Sequence, residues 1–464
     1  MITYRARTLV RATVGLVLLA ALGLYAYFGV YRAGLKRRQR QAIERLVFPF
    51  DKERLTRVEI AARTSRTVLE RTGIDGRNLP QWKVVAPVEA EADNMAVNAL
   101  LSTLELMERH GSIPADEQGD PDSYGLAPAR GKISLDDEGG ESFTLLVGAR
   151  SEFSGQLYVK LSRAEEIYLV DGELEDRLLK TTLELRNKKL AEFHTARLAR
   201  LFLSRGDSRL GLERSGGGWR LVEPIEARAD EEKVRKLLNV ISNLRAISFP
   251  DPGQLPSGLG LDPPQLEIGL ELGAGEEIKF LVGQAGEKVY ARRTLPPGPV
   301  IGLRPYVLSA LSKKPFDLRF TRPLEFVQAA VREIRAKGSG NLTVIEKRPA
   351  RDDPGADTWY MVSPAAVAVQ PAEVRLLLGK LAALEAVGLV PTGKESQAPT
   401  LDNPVLSLAL SGKKGKKIGW LRVGGHVPGG VLAAGSAQRD LCVVERKKIE
   451  EIEALLSALD SRRE

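Results

Sequence analysis

One helical pattern is written three times along the chain. Val97, Leu100, Leu101, Leu104 and Met107 follow the i, i+3, i+4, i+7 spacing of one apolar α-helix face. The same spacing recurs 137 residues on as Val234, Leu237, Leu238, Ile241 and Leu244. It recurs 140 residues beyond that as Val374, Leu377, Leu378, Leu381 and Leu384. A chain that repeats a core face folds into repeated units, so the copies bound every later reading.

Other landmarks keep the same register. Trp82, Trp219 and Trp359 each precede a proline by five residues (Pro87, Pro224, Pro364). Phe50, Phe193 and Phe326 open each copy and are followed at +5, +8 and +10 by mostly apolar residues: Leu55, Val58, Ile60; Leu198, Leu201, Leu203; Val331, Ile334, Ala336. Asp93 and Asp230 stand where an N-cap is wanted, and Gln370 followed by Pro371 opens the third helix. After each helix come Tyr124-Gly125-Leu126-Ala127-Pro128, then Leu259-Gly260-Leu261-Asp262-Pro263, then a looser Thr400-Leu401-Asp402-Asn403-Pro404. Two strands follow, the second ending in Val-Gly at Val147-Gly148, Val282-Gly283 and Val423-Gly424.

Each copy reads β-β-β-α-β-β-β-β-α over about 140 residues. Turns such as Arg214–Trp219, with three consecutive glycines, imply hairpins and hence antiparallel sheets. The expected fold class is α+β: three repeated domains at 50–192, 193–325 and 326–464, each an antiparallel sheet with one long and one short helix. Units this large bury a core of their own, unlike the short stacked repeats of a solenoid. The tryptophans are expected as core anchors under the helices.

Charge bounds the partners. The net charge of +8 invites a nucleic-acid reading, but nine of the 68 Lys and Arg and one of the 60 acids lie in residues 1–49. That leaves 59 of each in 50–464, so the globular part is neutral and lacks the positive excess that displaces counterions from a nucleic acid. No nucleic-acid partner is expected. Residues 12–31 carry no charge across 20 positions. A helix of that length spans a hydrocarbon core about 30 Å thick. The run ends in a basic stretch, Arg32 to Arg40, without a cleavage signature, so residues 1–49 are expected as an uncleaved anchor with basic flanks. Positive charges on the two flanks nearly tie, leaning toward a cytoplasmic C-terminal side.

The residues Leu46 to Ile60, the Trp-x-Val-x-x-Pro run followed by Ala-Asp and the Val/Leu helix, and the Tyr-Gly-Leu-x-Pro turn resemble the domain of unknown function 4340 family. The resemblance covers the chain after the anchor and is closest in the first two copies; the third has Gln370 for Asp and Thr400-Leu401 for Tyr-Gly-Leu. It implies one amino-terminal membrane helix with the domains outside the cytoplasmic membrane, and association with gliding-type ABC transporter components. It carries no catalytic residues. On that basis the bulk of the chain is expected in the periplasm of a bacterial inner-membrane protein.

The search for chemistry is sparse. Gly388 to Glu395 matches G-x-x-x-x-G-K, but Glu395 stands where a phosphate loop needs Ser or Thr, and no helix follows. Gly424 to Gly430 is glycine-rich without a helix start. His110, His194 and His426 fall at unrelated positions and none has a ligand at metal spacing. Asp136-Asp137 and Glu165-Glu166 sit in turn-like stretches and read as solvated. The single Cys442 excludes an intrachain disulfide and reads as buried packing. No catalytic, cofactor-binding or metal residue is assigned and no cofactor is expected. The expected function is a membrane-anchored, non-catalytic binding or scaffold protein whose partners are integral transporter subunits or other envelope proteins. The alternatives are an envelope-polymer hydrolase with a carboxylate site, and a cytoplasmic, membrane-tethered adaptor.

Overall fold

The computed structural model describes residues 45–461 apart from 49, 63–64, 77–78, 251–255, 339–341, 350–356, 391–400, 402 and 439, together with Tyr27. The expected anchor therefore lies outside the described residues; among the described residues no helix is long and apolar enough to cross a membrane.

The first copy forms β1 (Leu55–Ala62), β2 (Ser65–Ile74), β3 (Pro80–Ala86), β4 (Ala90–Glu91), α1 (Asn94–Glu105), β5 (Gly111–Ile113), β6 (Gly131–Asp137), β7 (Ser142–Arg150), β8 (Leu157–Leu161), β9 (Ile167–Val170), α2 (Leu174–Leu178) and α3 (Thr182–Leu185). Its sheet order is β4-β3-β2-β1-β6-β7-β8-β9-β5, antiparallel throughout. Two four-stranded meanders thus stand back to back on their first strands, β1 and β6, and α1 carries the chain from the outer edge of one to β5 at the outer edge of the other, from which it returns to β6.

The second copy repeats this with β10 (Leu198–Arg205), β11 (Ser208–Ser215), β12 (Gly218–Glu223), β13 (Ala227–Arg228), α4 (Glu231–Ser242), β14 (Leu266–Leu272), β15 (Glu277–Ala285), β16 (Lys288–Leu295), β17 (Val300–Leu303), α5 (Tyr306–Leu311) and α6 (Pro315–Leu318). The third has β18 (Glu333–Lys337), β19 (Leu342–Pro349), β20 (Asp357–Ser363), β21 (Val367–Val369), α7 (Pro371–Ala382), β22 (Ala386–Val390), β23 (Leu406–Ser411), β24 (Lys417–Val427), β25 (Gly430–Gly435), β26 (Leu441–Val444) and α8 (Arg446–Asp460). The protein is α+β with three antiparallel sheets of the same strand order, the outermost strand β5 or β22 belonging to the first and third. Each copy also has a short fourth strand before its helix, and the first and third copies a fifth strand after it (β5 and β22), that the sequence pattern did not mark.

The odd +5, +8 spacing has a local cause. In β1 the pairing with β6 slips between Leu55 and Arg57, and in β10 the pairing with β14 slips between Leu198 and Arg200. A bulge adds one residue and restores the phase, so Leu55 and Val58 both point inward although three residues apart. All fifteen helix-face residues are buried, at most 5% exposed. The Asp93 carboxylate accepts from the Ala96 N–H, and Asp230 from the Glu232 and Lys233 N–H groups, while Gln370 makes no side-chain cap. The tryptophans lie under these helices, and their strands are tied to the helix starts: Trp82 N–H donates to Asn94 Oδ1 (2.7 Å) and Trp219 N–H to Glu231 Oε1 (2.5 Å). The equivalent third position is Pro371, which has no such acceptor.

The expected single short closing helix is corrected in all three copies. The first and second close with two short helices. Thr181 and Glu184 form a capping box that starts α3 afresh, and Pro315, lacking an N–H, opens α6. The third closes with one 15-residue helix, α8, longer than its core helix. No proline interrupts it, and Ile449, Ile452, Leu456 and Leu459 line one buried face.

The Val-Gly pairs lie inside their strands, not at the ends as expected, and serve the turn after the helix. Gly125 and Gly260 adopt left-handed φ of +64° and +69°. Gly148 and Gly283 lie so close to the backbone of these turns that a Cβ on either would collide with the carbonyl oxygen of Tyr124 or Gly260. The Tyr-Gly-Leu-x-Pro signature is therefore a seat in which backbone meets backbone.

The chain divides into two compact units, residues 1–190 with 245–252, and residues 191–244 with 253–464. The first holds the first sheet and the second holds the other two. In the first unit the stretch after α3 is hydrogen-bonded on both sides: Asn187 N–H donates to the Glu91 carbonyl (2.8 Å), and the Lys188 carbonyl accepts from Ala246 N–H (2.7 Å). The second unit repeats the device, Phe320 N–H donating to the Arg228 carbonyl (2.9 Å) and Ala386 N–H to the Thr321 carbonyl (3.0 Å). These connecting stretches spend their backbone groups on sheet-like pairing.

Candidate functional site

Side chains alternate across a strand, so each sheet has a face packed under its helices and an open face. The positions that match between copies fall on the covered face: Val58, Leu201 and Ile334; Ile133, Ile268 and Leu408; Val147, Val282 and Val423, all at most 3% exposed. The open faces do not match. The central row reads Glu59–Ser134–Thr144 in the first sheet, Phe202–Gly269–Lys279 in the second and Arg335–Ala409–Trp420 in the third.

On the first open face charges pair locally. Arg66 meets Glu59 at 2.8 Å and Arg57 meets Glu70 at 2.7 Å, and the Arg66 hydrogen bond holds the Glu59 carboxyl below its usual range. The second has a hollow of about 320 Å³ beside Phe202. Its cations are also matched: Arg209 lies 4.2 Å from the Phe202 ring centroid and 3.1 Å from Glu223, and Lys279 pairs with Glu277 at 2.8 Å.

The third open face carries the larger groove, of about 1000 Å³. Its floor is β23, whose outward residues Ser407, Ala409 and Ser411 are small. The neighbouring strands β18 and β24 stand two strand spacings apart, roughly 10 Å. From β18 rise Arg335 and Lys337; from β24 rise Lys417, Trp420 and Arg422. Arg335 Nε meets Glu333 Oε1 at 2.5 Å, and this carboxylate holds the guanidinium charged. The Arg422 guanidinium carbon lies 5.6 Å from the Trp420 ring centroid. Among the described residues Lys337, Lys417 and Arg422 make no ion pair. Among the described lining residues four cations thus face one carboxylate, with Glu346 opposite Glu333 on the next strand, beside an indole that is 42% exposed. The groove offers hydrogen-bond donors and a flat apolar surface.

Sequence reasoning passed over this groove. Its signal was Trp420, which falls among the outward-facing positions of an alternating strand whose inward residues are Gly419, Leu421 and Val423. His110, His194 and His426 are exposed, and among the described residues no group of three His, Cys, Asp or Glu is placed to hold a metal ion. Of Gly388 to Glu395, the first three residues are in β22 and the rest lies outside the described residues. Gly424 to Gly430 is the β24–β25 hairpin. Asp137 Oδ1 accepts from the Gly139 and Glu141 N–H groups, a turn role, and Glu165-Glu166 lie in the β8–β9 turn.

Cys442 is fully buried in the third core, and burial, reinforced by the Asp440 carboxylate, pushes its thiol up to about 11. It is a protonated packing residue at neutral pH. Unfolding returns it toward 9.0, so between there and about 11 the unfolded chain holds fewer protons and stability falls as pH rises. Cys442→Ala is expected to flatten that alkaline loss in denaturant titrations. The native thiol is expected to resist iodoacetamide near neutral pH until urea unfolds the chain; rapid native alkylation would contradict the packing.

The family model described as a domain of unknown function (DUF4340) matches residues 82–264 and 219–404. The two matches begin at Trp82 and Trp219, so their offset repeats the spacing of the first two helices. No curated protein matches the chain.

Proposed function

The chain belongs to the DUF4340 family, and we propose that it is a membrane-anchored, non-catalytic binding protein of the bacterial envelope, accessory to a transport or motility complex. The repeats at 50–192, 193–325 and 326–464 act as domains displayed in the periplasm from the uncharged run at residues 12–31. One observation carries the reading: the copies share their covered faces and differ on their open faces. A scaffold kept while its surface diverges presents several different contacts from one tether. A partner touching two or more of them gains avidity by linkage alone, up to roughly 10²–10⁴-fold.

Photo-crosslinkers at the outward positions Thr144 and Lys279 are expected to capture the same integral membrane or envelope protein from intact membranes. Capture from one position only would remove the multi-contact reading. A purified chain that hydrolyses an envelope polymer, and loses that activity on changing one acidic residue, would replace binding with catalysis. For topology, reporters fused at Glu464 are expected to be active in the periplasm; a cytoplasm-only signal would favour a tethered adaptor instead.

A further inference from the structure

We propose that the groove on the open face of the third sheet binds an acidic glycan, a single sugar chain bearing carboxylate or phosphate groups. The inference stands apart from the assembly proposed above, since it concerns the ligand of one face.

The fold does not require this set of side chains. Where the third sheet has Trp420, the same row position holds Thr144 and Lys279 in the other two; where it has Arg422, they have Leu146 and Leu281. Lys337 likewise stands in place of Ala61 and Ser204. The same architecture is built without these residues, so they answer to something outside the core. An exposed indole costs solubility, and unpaired cations repel one another; a bound anion offsets both.

Width and chemistry then narrow the occupant. Walls roughly 10 Å apart admit one polymer strand and exclude a duplex. Arg335, Lys337, Lys417 and Arg422 can only donate hydrogen bonds, so the groove suits a ligand rich in acceptors. Ser407 and Ser411 on the floor donate or accept, as sugar hydroxyls do. A bound peptide brings N–H groups that need acceptors, and the sheet's own carbonyls are already spent in its ladder. Peptides read sheets at edges for that reason. A single-stranded nucleic acid stacks successive bases on several aromatics; among the described residues lining this groove Trp420 is the one aromatic, and Tyr360 on the same face stands two strands beyond the groove wall, on β20. One indole suits the apolar C–H face of one sugar ring, with Arg422 stacked beside it.

The chain reports its own occupancy. Of its four tryptophans, Trp82, Trp219 and Trp359 are at most 6% exposed, so acrylamide quenching reads Trp420. With the full chain in detergent, oligogalacturonate is expected to shield Trp420 from acrylamide, and neutral malto-oligosaccharide of equal length is not. Shielding is expected to weaken with salt. Lys337→Glu combined with Arg422→Glu is expected to weaken it by roughly tenfold or more. Lys279→Glu, on the second sheet, is expected to leave it unchanged. An unaltered thermal midpoint in the double variant separates lost binding from lost folding. Tighter protection by oligothymidylate or by poly-L-glutamate would overturn the glycan in favour of nucleic acid or an acidic peptide. Absence of shielding by every probe, or an unaffected double variant, would overturn the site itself.

Discussion

Gly283→Ala is expected to destabilise the second unit by about 3 kcal/mol or more, at the upper end for an overpacked position. The added methyl meets the carbonyl of Gly260, which is backbone and held by the turn's own hydrogen bonds: Gly260 N–H donates to the Ser257 carbonyl (3.2 Å) and Leu261 N–H to that of Pro256 (2.9 Å). A flexible side chain would swing away; a pinned peptide group moves only if the turn lifts off the sheet. Gly148→Ala makes the same collision with Tyr124 in the first unit and is expected to cost as much. Gly379→Ala is the control. It sits inside α7 with nothing within 4 Å, so alanine there is expected to stabilise by about 0.5–1 kcal/mol through helix propensity. Urea midpoints at constant slope read all three. A Gly283→Ala loss below about 1 kcal/mol would mean that the turn is not seated on that strand.

Leu238→Ala is expected to cost about 2–5 kcal/mol, the range for a buried leucine whose cavity only partly collapses. Leu238 on α4 is 5% exposed, and its counterparts Leu101 on α1 and Leu378 on α7 are 0% and 3%. The three therefore occupy the same place in three cores, and each alanine is expected to fall within that range. Leu376 lies on α7 but is 50% exposed, so Leu376→Ala is expected to shift stability by no more than about 0.5 kcal/mol. Equal losses at Leu376 and Leu378 would contradict the helix orientation.

Much of the fold was legible in the chain because burial leaves a period. A helix against a sheet must show apolar residues every three to four positions, and Val97 to Met107 and its two echoes do so. Boundaries set by chemistry were equally readable, as at Asp93 and Asp230. The missed elements lack a period long enough to read: β4, β5, β13 and β21 span two or three residues each and β22 only five, and the extra closing helices depend on the local break at Thr181 and the proline at 315. The groove was invisible for a different reason. Trp420 and Arg335 are 85 residues apart in sequence and face each other only because β23 inserts between their strands, an adjacency that alternation within a strand does not encode.

The sequence by itself determined three copies of one α+β unit, their covered faces and the family, because each follows from residue type and spacing along a single stretch. The tertiary structure decided three other things. It set the back-to-back order of the two meanders, it seated Gly260 against Gly283, and it gathered unpaired cations round one indole on the third sheet. Each of these depends on which distant strands become neighbours, and that choice is made by the packing of the whole core.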